Sequence, residues 1–500
     1  MKKTFLDWFD LTPSLNRRPK APRTAAPART AETAARETEH NPPGAGKATR
    51  PSPFWVTALI LLLAAGLPAQ SSAVLDEYIR TGLSGNLALQ QQNLDLQQQL
   101  EAVRQARSLF FPTVQFNATY TRAAGGRKID FPIGDLLNPV YSTLNQLTQT
   151  NQFPMLENQQ IQFLPDNFQE TYLKVAYPLF NSDLRYNRQI RQQLVQSKTA
   201  EKAAFEHELR YRITEAYLQY LQALEAEKIW LNAKSVLSEL RRFNESLVKN
   251  NVATREVVAT ADYELSKAER EIFQLRSQQN TARSYFNFLI NRDLQADVTV
   301  DTSLLHQALP AYDRAQLIGE ALTDRHELTA IRAGQSAAEI ALKLNEANRI
   351  LPDAYIGAQA GFQGFGYKFN GDQAYVLAQV GVTYDIFNGG LTRSKAQQAR
   401  IETEKIRSRY TEVQQQIALQ VTQAWNAFES ARQSWLTARQ GQVAAGESFR
   451  IVNNKYRANQ VLLLEFLDAQ NRLTTAQLQV LLAWTEVLIR EAELKKAAGL

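Results

Sequence analysis

The sequence predicts a duplicated α+β fold built from very long helices and a few strands of about ten residues. Residues 183–250 and 390–457 each read as about 68 helical residues without proline, which at 1.5 Å per residue gives helices roughly 100 Å long. Residues 113–122 and 374–386 alternate apolar and polar side chains, as strands do. Both features occur once in each half of the chain, so we predict two copies of one structural plan.

Three pairs of segments carry the internal repeat. The pairs are 110–122 with 350–362, 173–190 with 380–397, and 247–265 with 455–473. The first pair is 240 residues apart and the other two are 207 and 208 residues apart, so the first half contains about 33 extra residues. We place these in a long Pro/Asn/Gln/Leu-rich loop at 123–168. The predicted domains are a leader at 1–73, a first repeat at 74–302 and a second repeat at 303–500.

The leader differs in composition from the rest of the chain. Residues 1–69 contain ten Lys and Arg and five Asp and Glu, so they account for +5 of the net charge of +6. The rest of the chain is nearly neutral, and no nucleic-acid-binding surface is expected there. The apolar stretch 54–67 is shorter than the roughly 20 residues that a membrane-spanning helix needs. It is typical of a signal peptide, cleaved near Ala69 or Ala73, with a buried core helix as the alternative. Residues 1–53 are longer than an ordinary signal-peptide start, so either the leader is extended or translation starts further along.

Composition and motifs argue against an enzyme. The chain has no cysteine, which excludes disulfides, thiolate catalysis and Cys-ligated zinc. Its four histidines form no His-x-x-x-His pair, and no metal or cofactor is expected. GLSG at 82–85 lacks the spacing of a nucleophile elbow, and GAGKAT at 44–49 lacks that of a phosphate-binding loop.

The candidate strands suit a membrane barrel that several copies share. Apolar residues on one face and polar residues on the other, over about ten residues, fit a transmembrane β-barrel, although a half-buried soluble sheet has the same local pattern. Four such strands cannot close a barrel in lipid, where about eight is the minimum and open edges are not tolerated. Three copies would supply twelve strands in a closed ring.

Shorter helices are expected beside each long one. The predicted pairs are 74–108 with 255–291, and 312–349 with 462–497, each pair summing to about the length of one long helix. We therefore predict that two shorter helices stack end to end along each long helix.

These doubled features resemble the outer-membrane efflux protein (TolC) family over residues 74–500. The resemblance rests on the proline-then-strand segments, the Phe180-Asn181 and Phe387-Asn388 corners between strand and helix, and the two helix-turn-helix tips. It implies a homotrimer with a long α-helical barrel and a shared twelve-stranded transmembrane β-barrel, located in the outer membrane with a long periplasmic portion. The implied function is a passive exit duct of a tripartite efflux or type I secretion system, with a gated periplasmic entrance. A periplasm-spanning helical scaffold without a pore is the alternative.

The implied partners are a periplasmic adaptor (membrane fusion) protein, an inner-membrane pump of RND or ABC type, and outer-membrane lipid. The resemblance also places a pore constriction on the last hairpin, where Glu465 and Asp468 stand at the positions of the family's two acids. In a trimer each would form a ring of three carboxylates that attracts cations; a solvated helix face is the alternative. The implied adaptor-contact residues at the tips are Asn250, Asn251, Val252, Tyr456, Asn459, Gln460 and Val461.

Three positions at the tips depart from the family pattern. Asn251 and Asn459 stand where glycine is usual, and asparagine tolerates a left-handed backbone at some cost relative to glycine. Val461 stands where the family has an arginine. The apolar run Val461–Leu464 is expected to pack between helices, with a patch that binds the adaptor as the alternative.

Overall fold

The computed structural model describes residues 72–500, so the predictions for the leader and its signal peptide lie outside the described residues. The helices are α1 Ala73–Gly85, α2 Leu87–Ser108, α3 Ile133–Thr148, α4 Ser182–Lys249, α5 Glu256–Leu289, α6 Arg314–Asp324, α7 His326–Ala347, α8 Leu391–Arg457 and α9 Leu463–Ala498, with a 3-10 helix at Thr302–His306. The strands are β1 Thr113–Thr121, β2 Lys128–Phe131, β3 Gln159–Gln162, β4 Phe168–Phe180, β5 Asp353–Phe365 and β6 Ala374–Thr383.

The two long helices form where the sequence predicts them. α4 has 68 residues and α8 has 67, and both bounds agree with the prediction to within one residue. The Asn181 side chain caps α4 by accepting a hydrogen bond from the Leu184 backbone N–H at 3.0 Å. α8 follows Gly389 and Gly390, whose φ angles of 62° and 84° favour glycine. Phe180 therefore ends β4 and Asn181 starts α4, whereas Phe387-Asn388 lies in the connection between β6 and α8.

Two of the shorter helices that the sequence predicts as continuous are broken. The predicted helix 74–108 divides at Asn86, whose side chain accepts from the Leu89 N–H at 3.0 Å and donates to the Leu289 carbonyl at 2.8 Å. The predicted helix 312–349 divides at Arg325, whose guanidinium donates to the Ala497 carbonyl at 2.9 Å. The partners that fix these breaks are 203 and 172 residues away, which local periodicity does not reveal.

The predicted arrangement of short helices beside long ones is confirmed. α1, α2 and α5 pack along α4, and α6, α7 and α9 pack along α8. The structure adds a seam between the repeats, because α4 also packs against α7 and α9. Along this seam the His207 and His326 rings lie 5.1 Å apart, and Gln222 donates to the Thr485 hydroxyl at 2.6 Å. None of the helices in residues 72–500 is both long and apolar enough to cross a membrane.

The main sheet is antiparallel throughout, with strand order β1-β4-β5-β6. All its helix connections leave from one end, where β1 and β5 begin and β4 and β6 end. Strand β6 ends at Thr383, so Tyr384, Asp385 and Ile386 of the predicted strand lie outside it. The backbone geometry changes there because the chain turns through Gly389 and Gly390 into α8.

The sheet has one apolar and one polar face, as the alternating pattern predicts. On one face, cross-strand partners bring Phe116, Leu173, Ala360 and Val376 into one row. On the other face the corresponding side chains are largely polar: Gln115, Asn117, Thr119, Glu170, Lys174, Gln359, Gln363, Gln379 and Thr383. The apolar face is exposed in the single chain; Val376, for example, is 82% exposed. The sheet therefore leaves a large apolar surface for another partner to cover.

Residues 123–168, which the sequence predicts to be a loop, contain the antiparallel strand pair β2-β3 and, between the two strands, α3. The loop prediction is wrong because Pro139 lies within the helix, where proline is normally taken as a helix breaker. The helix forms nevertheless, since asparagine side chains fix it to the chain segment that follows it.

Candidate functional site

Two hairpin tips, the α4–α5 turn and the α8–α9 turn, have the same backbone conformation. Asn251 and Asn459 each have φ of 58°, in the left-handed region that the sequence analysis associates with asparagine at these positions. In the first tip the Val252 N–H donates to the Leu247 carbonyl at 2.9 Å, and in the second the Gln460 N–H donates to the Lys455 carbonyl at 2.8 Å. Both are Schellman motifs, which satisfy carbonyls at the end of a helix.

A buried hydrogen-bond relay joins the two tips. The Tyr456 hydroxyl donates to the Asn244 side-chain oxygen at 2.7 Å, and the Asn244 amide donates to the Val257 carbonyl at 3.0 Å. Asn244 is fully buried and Tyr456 is 6% exposed, and burial raises the pKa of the Tyr456 hydroxyl while Asn244 opposes the rise. Tyr456 thus lies at the predicted tip, but it supports the tip from inside instead of presenting its side chain at the surface.

Aromatic side chains pack around this relay. The Phe466 ring lies 5.2 Å from the Tyr456 ring and 5.6 Å from the Phe449 ring. Leu240 and Leu467 complete the buried cluster. A groove of about 350 Å³ beside Tyr456 and Phe466 is rimmed by polar residues of α4 and α8. The last hairpin is therefore held to α4 mainly by apolar contacts.

The predicted constriction acids lie on the opposite face of α9 from this cluster. Glu465 and Asp468 are exposed, three residues apart, while Phe466 and Leu467 between them are buried. Asp468 forms an ion pair with Arg472 at 2.9 Å. Sequence reasoning missed Arg472, although its spacing of four residues from Asp468 is the signal for such a helix pair.

The remaining predicted tip residues are at the surface. Asn250, Asn251, Val252, Asn459 and Gln460 are all exposed. They therefore lie where a partner could reach them.

The apolar run Val461–Leu464 divides between core and surface. Val461 and Leu463 are half-buried against the tip cluster, so the packing prediction is confirmed for them. It is wrong for Leu462 and Leu464, which are 71% and 75% exposed, because the helix turns them away from the cluster. Together with Val252, 61% exposed, they place aliphatic side chains at both tips.

A second cavity, of about 410 Å³, lies along the seam between the repeats. His207 and His326 line it, together with Arg325, Glu327 and Lys496. Lys496 pairs with Glu208 at 3.1 Å, and Arg325 pairs with Glu327 at 2.6 Å. Within residues 72–500 no group of three or more His, Asp or Glu is placed to hold a metal ion.

Comparisons with known proteins agree with this architecture. Residues 317–500, which include β5, β6, α8 and the α9 tip, match the family model described as outer membrane efflux protein. A curated relative, outer membrane efflux protein BepC of Brucella suis biovar 1, is 24% identical over 290 residues, which is 58% of this chain. The match spans 62% of that relative, less than two thirds of its length.

Solved structures share the fold over most of the chain. The open-state MtrE outer membrane channel of Neisseria gonorrhoeae has a TM-score of 0.68 at 19% identity, covering 85% of this chain and 89% of that one. The CmeC outer membrane channel of Campylobacter jejuni has a TM-score of 0.67 at 13% identity, and the match covers 85% of this chain and 86% of that one. At these identities the likeness concerns the fold alone. The second half of the chain is thus similar to the outer membrane efflux protein family, and most of the chain has the fold of these solved channels.

Proposed function

We propose that three copies of this chain form an outer-membrane channel, the passive exit duct of a tripartite efflux or type I secretion system. The observation that carries the proposal is the two-faced sheet, whose exposed apolar face includes Phe116, Val376 and Val380 at 69%, 82% and 68% exposure. An apolar face suits lipid and a polar face suits a water-filled lumen. A soluble scaffold would leave this apolar face in water unless a partner covered it.

The sheet edges explain why three copies are needed. β1 and β6 are the edge strands of the four-stranded sheet, and each pairs with one neighbour only. Backbone groups left unpaired in hydrocarbon each cost several kcal/mol, roughly 2–7 by transfer measurements. Pairing β6 of one copy with β1 of the next removes every edge, and three copies give the twelve strands of a closed barrel.

The helices then continue the barrel as a tunnel on the periplasmic side. α4 and α8, each roughly 100 Å long, run from the sheet to the tips, with the shorter helices beside them. The chain catalyses nothing in this proposal; an inner-membrane pump of RND or ABC type supplies the energy. A periplasmic adaptor docks on the exposed tip residues Asn250, Asn251, Val252, Asn459 and Gln460, with Val461 at their edge.

The gate lies on the last hairpin. In a trimer, the exposed Glu465 and Asp468 form two rings of three carboxylates, which attract cations as acidic rings do in other pores. The ion pair from Arg472 to Asp468 offsets part of that charge. Opening requires the α8–α9 hairpin to move away from α4, a shift in population that the adaptor stabilises.

Planar-bilayer recording of the purified trimer tests the channel. We expect ion conductance that prefers cations. A well-folded trimer that conducts no ions would instead support a helical scaffold without a pore, and would overturn the proposal.

The gate has a separate test in the same recordings. Glu465→Gln/Asp468→Asn should lower cation selectivity, measured as the reversal potential in a salt gradient. Glu256→Gln is the matched control, because Glu256 is exposed beside the other tip. Equal selectivity in the double variant and the parent would remove these two residues from the constriction.

A further inference from the structure

The connection between β1 and β4 is far longer than its counterpart in the second repeat. Residues 122–167, which we name the outer insert, separate these strands, whereas only residues 366–373 separate β5 from β6. The outer insert lies at the end of the sheet away from the long helices and contains β2, α3 and β3. Connections this long are usually functional, so we expect the outer insert to do more than link two strands.

Asparagine side chains hold α3 in a fixed position. Asn138 donates to the Leu156 carbonyl at 2.9 Å and accepts from the Leu156 N–H at 2.7 Å. Asn145, two turns later, makes the same pair of bonds with Phe153 at 2.8 and 3.1 Å. A Cβ on Gly134 would lie 2.3 Å from the Leu156 carbonyl oxygen, so only glycine permits this approach. One face of α3 is therefore attached to its own chain.

The other face of α3 is apolar and largely exposed. Ile133, Leu136, Leu137, Val140, Leu144 and Leu147 form a stripe at helical spacing. Leu136, Val140 and Leu147 are 66%, 51% and 77% exposed. A stripe of this kind on a helix that is already anchored indicates a contact surface.

Charge indicates what covers the stripe. The outer insert contains four acids, Asp130, Asp135, Glu157 and Asp166, and its three basic residues, Arg122, Arg127 and Lys128, all precede α3. Helices that lie on anionic membranes carry lysine and arginine on their polar face. α3 itself carries Asp135 and no lysine or arginine, so its polar face offers no such attraction, and a second copy of the chain fits the stripe better than a lipid surface does.

The dimensions allow the three stripes to meet. α3 has 16 residues and is thus about 24 Å long. Twelve strands about 4.8 Å apart, tilted by about 40°, enclose a ring with a radius of about 12 Å. The outer insert is also continuous with β1, the edge strand that meets the next copy in the proposed trimer.

We propose that the α3 helices of three copies pack through their apolar stripes on the three-fold axis and form a cap over the outer mouth. This inference rests on the proposed trimeric channel. The cap adds a closure at the end opposite the acidic gate, so that passage requires the three helices to separate.

Disulfide trapping tests the cap, because the chain contains no native cysteine. In a ring, equivalent residues of different copies meet only near the axis. Val140→Cys and Leu147→Cys should therefore form disulfide-linked dimers on mild oxidation of the purified trimer. Ser142→Cys is the matched control, since Ser142 is exposed two residues from Val140 and lies nearly opposite the stripe on the helix. We expect several-fold more dimer from the two stripe variants than from the control.

The trimer is measured separately, by light scattering of the reduced protein, so failure of the cap is distinguishable from failure of the channel. A reduced trimer in which Val140→Cys and Leu147→Cys give no more dimer than Ser142→Cys would overturn the cap and leave the channel intact. A second measurement uses a bimane fluorophore on Val140→Cys in vesicles with nitroxide lipids. Strong quenching would place the stripe in lipid and also overturn the cap, whereas no quenching is expected.

Discussion

The two hairpin tips have the same turn conformation but different side chains around it. Comparing them separates the residues that hold a tip in place from those that a tip presents at its surface. At the repeat offset of 208, Asn251 corresponds to Asn459, and both have φ of 58°. Val257 and Thr260 of the first tip stand where the second has Glu465 and Asp468. Val248 and Val258 of the first tip stand where the second has Tyr456 and Phe466, two members of its hydrophobic cluster.

The second tip is consequently the more specialised. Its aromatic residues form the contact with α4, and its acids occupy the exposed face of α9. The first hairpin supplies the hydrogen-bond partners: the Asn244 side chain accepts from the Tyr456 hydroxyl and donates to the Val257 carbonyl. A duplicated turn can thus keep its backbone while only one copy acquires a buried aromatic cluster and a pair of exposed acids.

Removing the largest side chain of the second tip should have the greatest effect. Phe466→Ala deletes a buried ring, which typically costs about 3–5 kcal/mol. Val258→Ala, at the equivalent half-buried position, should cost about 1 kcal/mol. Hydrogen exchange of the tip amides in each hairpin measures both. Equal effects would mean that the two tips are held alike.

Breaking the relay between the tips should have a smaller effect. Tyr456→Phe keeps the ring and leaves the buried Asn244 oxygen without its donor, a loss of about 1–2 kcal/mol. Tyr263→Phe, on a side chain that is 69% exposed, is the control. If the relay holds the gate closed, Tyr456→Phe also raises the open probability in bilayer recordings; an unchanged gate would limit the relay to a structural role.

Changing the shared turn should affect both tips equally. Asn251→Gly and Asn459→Gly each relieve the left-handed conformation at a non-glycine residue and should gain up to about 1 kcal/mol. The two melting temperatures should rise by the same amount. A gain at one tip alone would show that the turns are strained differently.

Acid should loosen the seam between the repeats and leave the uncharged relay intact. Burial, then His326 and Arg210, lower the pKa of His207, whereas Glu327 and Glu206 oppose the shift. The pKa of His207 is therefore lower in the folded protein than in the unfolded chain, where it is about 6.5. As the pH falls below that value the unfolded chain binds the proton more readily than the folded protein does, so the free energy of unfolding falls. His207→Gln should flatten that dependence in thermal unfolding between pH 7 and 5. His306→Gln, at an exposed site, should leave it unchanged.

The exposed ion pair of the second tip should have the smallest effect on stability. Asp468–Arg472 is an exposed helix pair, worth below about 1 kcal/mol. Arg472→Gln should scarcely shift the melting temperature but should increase cation selectivity, since it uncovers the Asp468 charge. Arg255→Gln, which removes an exposed positive charge beside the first tip, is the control. Selectivity that moves equally in both variants would argue against a special role for the second tip.

Much of this molecule could be predicted because its signals are local. Proline-free stretches with helical spacing determine the bounds of α4 and α8, and period-two alternation determines which face of each strand is apolar. The positions of Glu465 and Asp468 on one exposed face of α9 follow in the same way. The breaks at Asn86 and Arg325 could not be predicted, since their hydrogen-bond partners, Leu289 and Ala497, are distant in sequence.

The sequence by itself determined the duplication, the long helices, the two-faced strands and the asparagine turns, because each depends on residues within a few positions of one another. Only the tertiary structure decided that Tyr456 is buried, that Leu462 and Leu464 are exposed, and that residues 123–168 contain α3. Burial depends on which helix lies alongside. A helix such as α3, with Pro139 inside it, depends on hydrogen bonds from Asn138 and Asn145 that local propensity does not include.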